Sequence, residues 1–413
     1  MFRKIFIVVL ITSAFTLCFG GGFETAGIGT RQMSMGGAAI GLADDWTALY
    51  WNPAGLAFLE GASFGFDLRV GMMTQTADQS LRNTALGAGF NPSLGDYPYP
   101  PFGGWGGVEP ARYQEDGISS MQYRPDLGWY KAFNSFTFSI GFYGSGGLGA
   151  EWEDTLKGVA GTDKIEAEYN TSVFVLNMPV GFGVKIGEDD AVGFTVQFLY
   201  GSNESDIRKN YIDLGSGLGS YTYVNKSEGS GYGVEIDVGY LHRFSYTFSA
   251  GILYRSRYVL RSPGDAEMGI SVMGPNDTSE LDMIMTYPQR LGAGLAWEAT
   301  PDLMFTADVY YINWSMMEIR LDYETEGAFL QDRRVMNDLK NTWQLRLGCE
   351  YKKGRSAVWR FGYYSDASPY PDHYASLVQS RYPHADVVSV GFGYRTGDVD
   401  YNVLYNYTIV HPK

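Results

Sequence analysis

The feature that most limits what this chain can become is an alternation of period two, recurring from residue 62 almost to the C-terminus. In 62–72, Phe64, Phe66, Leu68, Val70 and Met72 share one face, while Gly65, Asp67, Arg69 and Gly71 share the other. In 135–144 the division sets Phe136, Phe138, Ile140 and Phe142 against Thr137, Ser139 and Gly141. In 248–258 it sets Phe248, Ala250, Ile252, Tyr254 and Tyr258 against Ser249, Gly251, Arg255 and Arg257. Runs over 192–200, 232–240, 291–297, 303–311, 343–351, 359–363, 388–394 and 401–407 repeat it. Successive side chains of a strand point to opposite faces, so each run is a strand with one apolar face and one polar or small face. At about 3.3 Å per residue and a 45° tilt, a run of about 10 residues crosses about 25 Å, the height of an outer-membrane apolar band.

The connections alternate in length. Short turns fall at 133–134, 187–190, 244–247, 300–302, 352–355 and 396–398; long polar stretches fall at about 73–118, 146–168, 204–229, 262–282, 315–340 and 366–385. A soluble sandwich would not put a long loop at every second connection. The expected fold is all-β: an antiparallel transmembrane β-barrel of about 14 strands, thirteen of which are identified, the eleven runs above among them, since bacterial barrels generally have even strand numbers.

Residues 1–20 read as a signal peptide: Arg3 and Lys4 precede an apolar run, Ile5 to Phe19, too short to span a bilayer. Its removal takes the net charge from −15 to about −17, with 29 basic against 46 acidic side chains. That balance argues against a nucleic-acid partner. Of the two cysteines only Cys349 would remain, so no internal disulfide is expected. With 31 Tyr, 24 Phe, 9 Trp and 53 Gly, the chain is aromatic yet polar enough to suit strands rather than apolar helices. The expected location is the outer membrane of a Gram-negative-type bacterium, with 62–413 as the barrel.

Residues 21–61 break the pattern. Met33, Met35, Ala38, Ala39, Ile40 and Leu42 would cover one side of a short helix. Asp44-Asp45 would begin a second turn through Trp46, Ala48 and Leu49, ended at Asn52-Pro53-Ala54-Gly55 because proline lacks an N–H. This reads as a hatch that fills what the strands enclose.

The segment GLADDWTALYWNPAGLA (41–57) resembles the N-terminal hatch of the FadL/TodX family, outer-membrane channels for long-chain fatty acids and hydrocarbons. The late hairpins extend the resemblance: Tyr287-Pro288-Gln289-Arg290-Leu291-Gly292 with Asn313-Trp314-Ser315, Trp343 with Arg346-Leu347-Gly348, and Val390-Gly391-Phe392-Gly393-Tyr394. It implies 14 strands, a hatch motif at Asp44, Asp45, Asn52, Pro53, Ala54 and Gly55, and passive uptake of a hydrophobic small molecule. Thirteen identified strands fall one short of that; a strand beyond residue 413, one inside 73–130, or an atypical closure would account for it.

Nothing here looks catalytic. The four histidines, His242, His373, His384 and His411, have no metal-binding spacing, and no GxSxG elbow occurs. No cofactor or metal is expected. Charges on the inward side of the strands read mainly as a paired, solvated interior. Among them Arg255 and Arg257 are the candidates to meet a substrate carboxylate. Phe90, Tyr97, Tyr99, Phe102 and Trp105 form an aromatic stretch suited to capturing apolar ligands. A second expectation, of a different class, is a surface scaffold or secretion-associated barrel whose extracellular loops bind a protein partner. In either case outer-membrane lipid surrounds the wall.

Overall fold

The structure is a computed structural model that describes residues 26–75, 118–157, 163–213, 220–335, 338–354, 356–369 and 384–411. Residues 1–25, with the expected signal peptide, and His373 lie outside the described residues. Among the described residues, seventeen strand segments join in one antiparallel sheet. They are β1 Ala62–Gln75, β2 Ile118–Ala132, β3 Thr137–Lys157, β4 Asp163–Lys185, β5 Asp190–Asp213 and β6 Tyr221–Ser245. Next come β7 Phe248–Arg255, β8 Tyr258–Ile270, β9 Asp277–Tyr287, β10 Arg290–Thr300, β11 Leu303–Ile312 and β12 Glu318–Tyr323. The last are β13 Arg333–Val335, β14 Thr342–Lys353, β15 Ala357–Ala367, β16 His384–Thr396 and β17 Val399–His411.

Four pairs of segments are halves of single staves. Both β7 and β8 pair with β6. On the next stave β10 pairs with β7 and β9 with β8. Further on, β11 pairs with β10 and β14 while β12 pairs with β9 and β13. The seventeen segments therefore make thirteen staves, the number identified in the sequence. The short turns fall where they were expected, for instance between β2 and β3 and between β16 and β17.

Two expectations are corrected. Much of what reads as long loops at 146–168, 204–229, 262–282 and 315–340 is strand, because β3 to β6, β8, β9, β12 and β13 run on past the apolar band. Outside the bilayer a ladder needs no apolar outer face, so the alternation that marks the spanning part fades. The second correction concerns phase. On β7 the buried positions are Gly251, Leu253 and Arg255; β8 starts with buried Tyr258, Leu260 and Ser262 and continues with Ala266 and Met268. The irregular pair Ser256-Arg257 shifts the phase by one, which turns every following side chain to the other face. Tyr258 therefore points inward, and Arg257 lies exposed on the outer face. The same inversion occurs at Pro288-Gln289, at 313–317 and between Val335 and Thr342, where β10, β11 and β14 bury even positions but β9, β12 and β13 bury odd ones.

Below these breaks the outer face is apolar: Val234, Ile236 and Val238 are exposed between Tyr232 and Tyr240 on β6. Tyr254, Trp343 and Tyr407 stand out from the wall near the breaks, and Phe244, Trp297 and Trp359 near the short turns. Two aromatic levels bounding an apolar band are the lipid-facing signature of a membrane barrel.

Inside the wall lies the segment 26–61. It forms α1 (Thr30–Ser34), α2 (Ala48–Trp51) and a 3-10 helix (Pro53–Phe58). The expected first helix is cut to one turn and a half because Gly36 and Gly37 take φ of 67° and 70°, the left-handed region that ends a helix. Met35, Ala38, Ala39 and Ile40 are nevertheless fully buried. Asp45 serves the second turn as expected: its Oδ1 accepts from Thr47 N at 2.8 Å and Thr47 Oγ1 at 2.6 Å. Pro53 opens the following 3-10 helix as much as it ends α2, since a first-turn position needs no N–H.

Candidate functional site

The inner segment and the lower wall fit each other backbone to backbone. A Cβ on Gly193 of β5 would stand 2.1 Å from the Pro53 carbonyl carbon, and one on Gly362 of β15 would stand 2.0 Å from Gly36 N. On β14, a Cβ at Gly348 would lie 2.7 Å from Met35 Cβ. Gly65 and Gly128, across the β1–β2 ladder, make room for the Trp46 indole. Inward glycines on many staves thus leave the space that the segment occupies.

Polar side chains of the wall then satisfy the segment's backbone. Asp308 Oδ2 accepts from Ala39 N at 2.7 Å and Ile40 N at 2.9 Å. Arg69 donates to Gly27 O at 2.6 Å, Arg255 to Tyr50 O at 2.7 Å, Arg346 to Ala26 O at 2.8 Å, and Thr195 to Leu49 O at 3.0 Å. Irregular backbone buried inside a barrel has no ladder of its own, so partners of this kind are required. Asn52 reciprocates: its Nδ2 donates to Ile40 O at 2.9 Å and to Tyr240 O of the wall at 3.1 Å, and its Oδ1 caps Ala54 N at 3.1 Å. Arg31 closes the lower seam, donating to Asp44 Oδ1 at 2.5 Å and to Glu350 Oε2 at 3.0 Å. Burial disfavours its charge, but Asp44, Glu350 and Asp45 outweigh that and raise its pKa well above the ordinary arginine value.

Each residue singled out in the sequence can now be placed. Asn52, Pro53, Ala54 and Gly55 are buried, with Asn52 and Pro53 against the wall; Asp45 is partly covered, and Asp44 is exposed. Arg255 is buried, but its guanidinium is already engaged by Asp237 at 3.1 Å, Glu235 at 3.3 Å and the Tyr50 carbonyl. Arg257 is not beside it. Phe90, Tyr97, Tyr99, Phe102 and Trp105 lie outside the described residues.

Missing from the sequence reading is a small cavity at the level of the breaks. Tyr50, Trp51, Tyr310, Leu253 and Ile312 line it together with Arg255, Arg290, Arg346 and Gln344. The Arg255 guanidinium lies 4.2 Å over the Tyr50 ring, and that of Arg346 is 5.1 Å from Tyr310 and 5.4 Å from Trp51. Its free volume is about 10 Å³, room for one water. The arginines were legible as inward positions; their convergence depends on staves distant in sequence.

Above the cavity the interior changes character. Val175, Leu199, Tyr258, Leu260, Met285 and Tyr287 pack as one buried group, with the Tyr258 and Tyr287 rings stacked at 4.4 Å. Ile319 joins that group to Ile312, Trp314, Met317 and Leu339, and also to Ala266, Met268, Leu281, Leu321 and Leu330. The polar phase that faces inward below the breaks faces outward above them: Arg261 with Asp282, Arg320 with Asp322 at 2.9 Å, and Arg334 with Glu318 at 3.5 Å.

Solved structures share the fold. A Pseudomonas aeruginosa FadL homologue superposes with TM-score 0.70 at 13% identity, over 95% of this chain and 92% of that one. The CymD monoaromatic hydrocarbon channel gives 0.62 at 15%, over 94% of each chain. The Pseudomonas putida toluene transporter TodX gives 0.57 at 15%, over 94% of this chain and 98% of that one. No curated protein sequence matches this chain. The family model of outer membrane transport proteins (OMPP1/FadL/TodX) matches residues 11–411, and the chain belongs to that family of outer-membrane β-barrels.

Proposed function

We propose that this barrel passes hydrophobic small molecules, long-chain fatty acids or hydrocarbons, passively across the outer membrane, with residues 21–61 as its hatch. One observation carries the reading. Four adjacent staves invert their phase at one level, so an apolar interior lies above a cavity whose floor is the inner segment. An apolar solute loses nothing by leaving lipid-like surroundings for such an interior, whereas a water-filled pore would oppose it. Neighbours of this fold are named as hydrocarbon channels and a toluene transporter, which agrees with that chemistry.

The path runs from the loops through the apolar interior to the cavity. Phe90, Tyr97, Tyr99, Phe102 and Trp105 are the capture surface on composition alone. A cavity with room for one water cannot hold such a solute, so a shift of the segment around Ala26–Tyr50 or an opening of the wall accompanies passage. Arg255 acts here through its hold on Tyr50. The test is native mass spectrometry of the detergent-purified barrel, with extraction to identify what co-purifies. A bound fatty acid or hydrocarbon, lost on Asn52→Ala, supports the reading; a barrel that stays empty when incubated with oleate and with hexadecane overturns it.

A further inference from the structure

The bend in the ninth stave, between β11 and β12, holds a group that neither the wall nor the inner segment uses. Trp314 opens a single 3-10 turn, Trp314–Met316, at the point where that stave changes phase. The backbone and side chains of the turn itself are bonded. Asn313 N donates to Gln289 O at 3.1 Å, and Met317 N donates to Trp314 O at 2.9 Å. Ser315 N donates to Asn341 Oδ1 at 2.8 Å, and Ser315 Oγ donates to Asn313 Oδ1 at 2.8 Å. The indole N–H of Trp314 has no acceptor among the described residues, although the side chain is 0% exposed. Trp51, the other fully buried tryptophan among the described residues, donates its indole N–H to Ile28 O at 3.1 Å.

A buried donor without an acceptor costs the full desolvation of the group. Ile312, Met317 and Leu339 share a buried cluster with this side chain, a setting in which phenylalanine would fill the space with no such cost. The position adjoins the route argued above: Ile312, of the same buried cluster as Trp314, lines the arginine cavity, and Ile319 ties that cluster to the apolar interior above.

We propose that Trp314 is a specificity-determining residue whose indole N–H donates to an acceptor oxygen on the passing solute, so that the channel favours oxygenated hydrophobes such as ketones, esters or acids over bare hydrocarbons. This rests on the transport reading above and adds to it a selection by polarity. A site built around a donor rejects the analogue that lacks the matching acceptor, because the donor is then left unpaired.

The test compares undecan-2-one with undecane, one bearing the acceptor and the other not, by calorimetric titration of the purified barrel. Trp314→Phe keeps the apolar bulk and removes the N–H. It should weaken undecan-2-one about 3- to 10-fold, the usual range for one neutral hydrogen bond, and leave undecane within about twofold. The undecane titration also reports whether the variant has folded. A second readout needs no folded variant: with ¹⁵N-labelled tryptophan, the Trp314 indole resonance of the native barrel should move downfield with undecan-2-one and stay with undecane. Equal weakening of both compounds means that Trp314 only packs. An unchanged ketone affinity, or an indole resonance that ignores the ketone, means that the N–H meets water alone; any of these overturns the proposal. A native barrel that binds neither compound fails at the transport reading itself.

Discussion

The lower and upper parts of this barrel solve opposite problems with the same alternating strands. Below the breaks the inward face carries glycines and charged or hydroxyl side chains, because it must receive an irregular segment and satisfy its backbone. Above them the inward face is mainly apolar, with few polar positions such as Ser262, and the charged pairs Arg261–Asp282 and Arg320–Asp322 look outward. The switch costs two irregular residues in β7/β8 and in β9/β10, and a few more in the next two staves. A strand therefore does not have one inward face for its whole length; a short interruption reassigns it.

The largest effect expected from this contrast is at the glycine fit. Gly362→Val would drive its side chain into the backbone of Met35 and Gly36, neither of which can yield, so no folded, heat-modifiable barrel should be recovered on gel electrophoresis. Gly144→Ala, on the same kind of strand but with nothing nearer than 3.9 Å, should fold normally. Next comes the buried charge cluster. Arg255→Ala removes the buried cation that Asp237 and Glu235 share and should lower the unfolding free energy by about 3–5 kcal/mol in denaturant titration.

A smaller effect, different in kind, belongs to the upper part. Met285→Gln puts a polar group into the apolar interior and should weaken binding of a hydrophobic probe by about tenfold while leaving bilayer conductance at the native level. Conductance that rises with this change would erase the distinction between the two regions. The smallest effect is at Arg257, exposed on the outer face: Arg257→Gln should change stability by no more than about 0.5 kcal/mol and leave ligand binding unaltered.

Much of the fold was open to reading because the lipid face obeys one strict rule. Phe64, Phe66 and Leu68, or Val234, Ile236 and Val238, have to be apolar at every second position, and the short turns have to punctuate them. The breaks left almost no trace, since Ser256-Arg257 is an ordinary dipeptide and only Pro288 hints at a missing donor in its stave. Assigning Tyr258 outward and Arg257 inward followed from extending one phase across that gap. The strand extensions were read as loops for a related reason: outward pairs such as Lys226–Asp206 carry no apolar alternation. The cavity was hidden because Arg255, Arg290 and Arg346 come from three separate staves, and only the register between β7, β10, β11 and β14 brings them together.

The central claim is that the inner segment seals the lower barrel while the upper interior selects for apolar solutes. Single-channel conductance in planar bilayers tests it most directly, comparing the native chain with one lacking residues 26–55. The native barrel should be nearly silent and the deletion variant should conduct ions in large, steady steps, because a lumen of this many staves is too wide for its own side chains to fill. Equal conductance from the two, whether both silent or both open, would contradict the account.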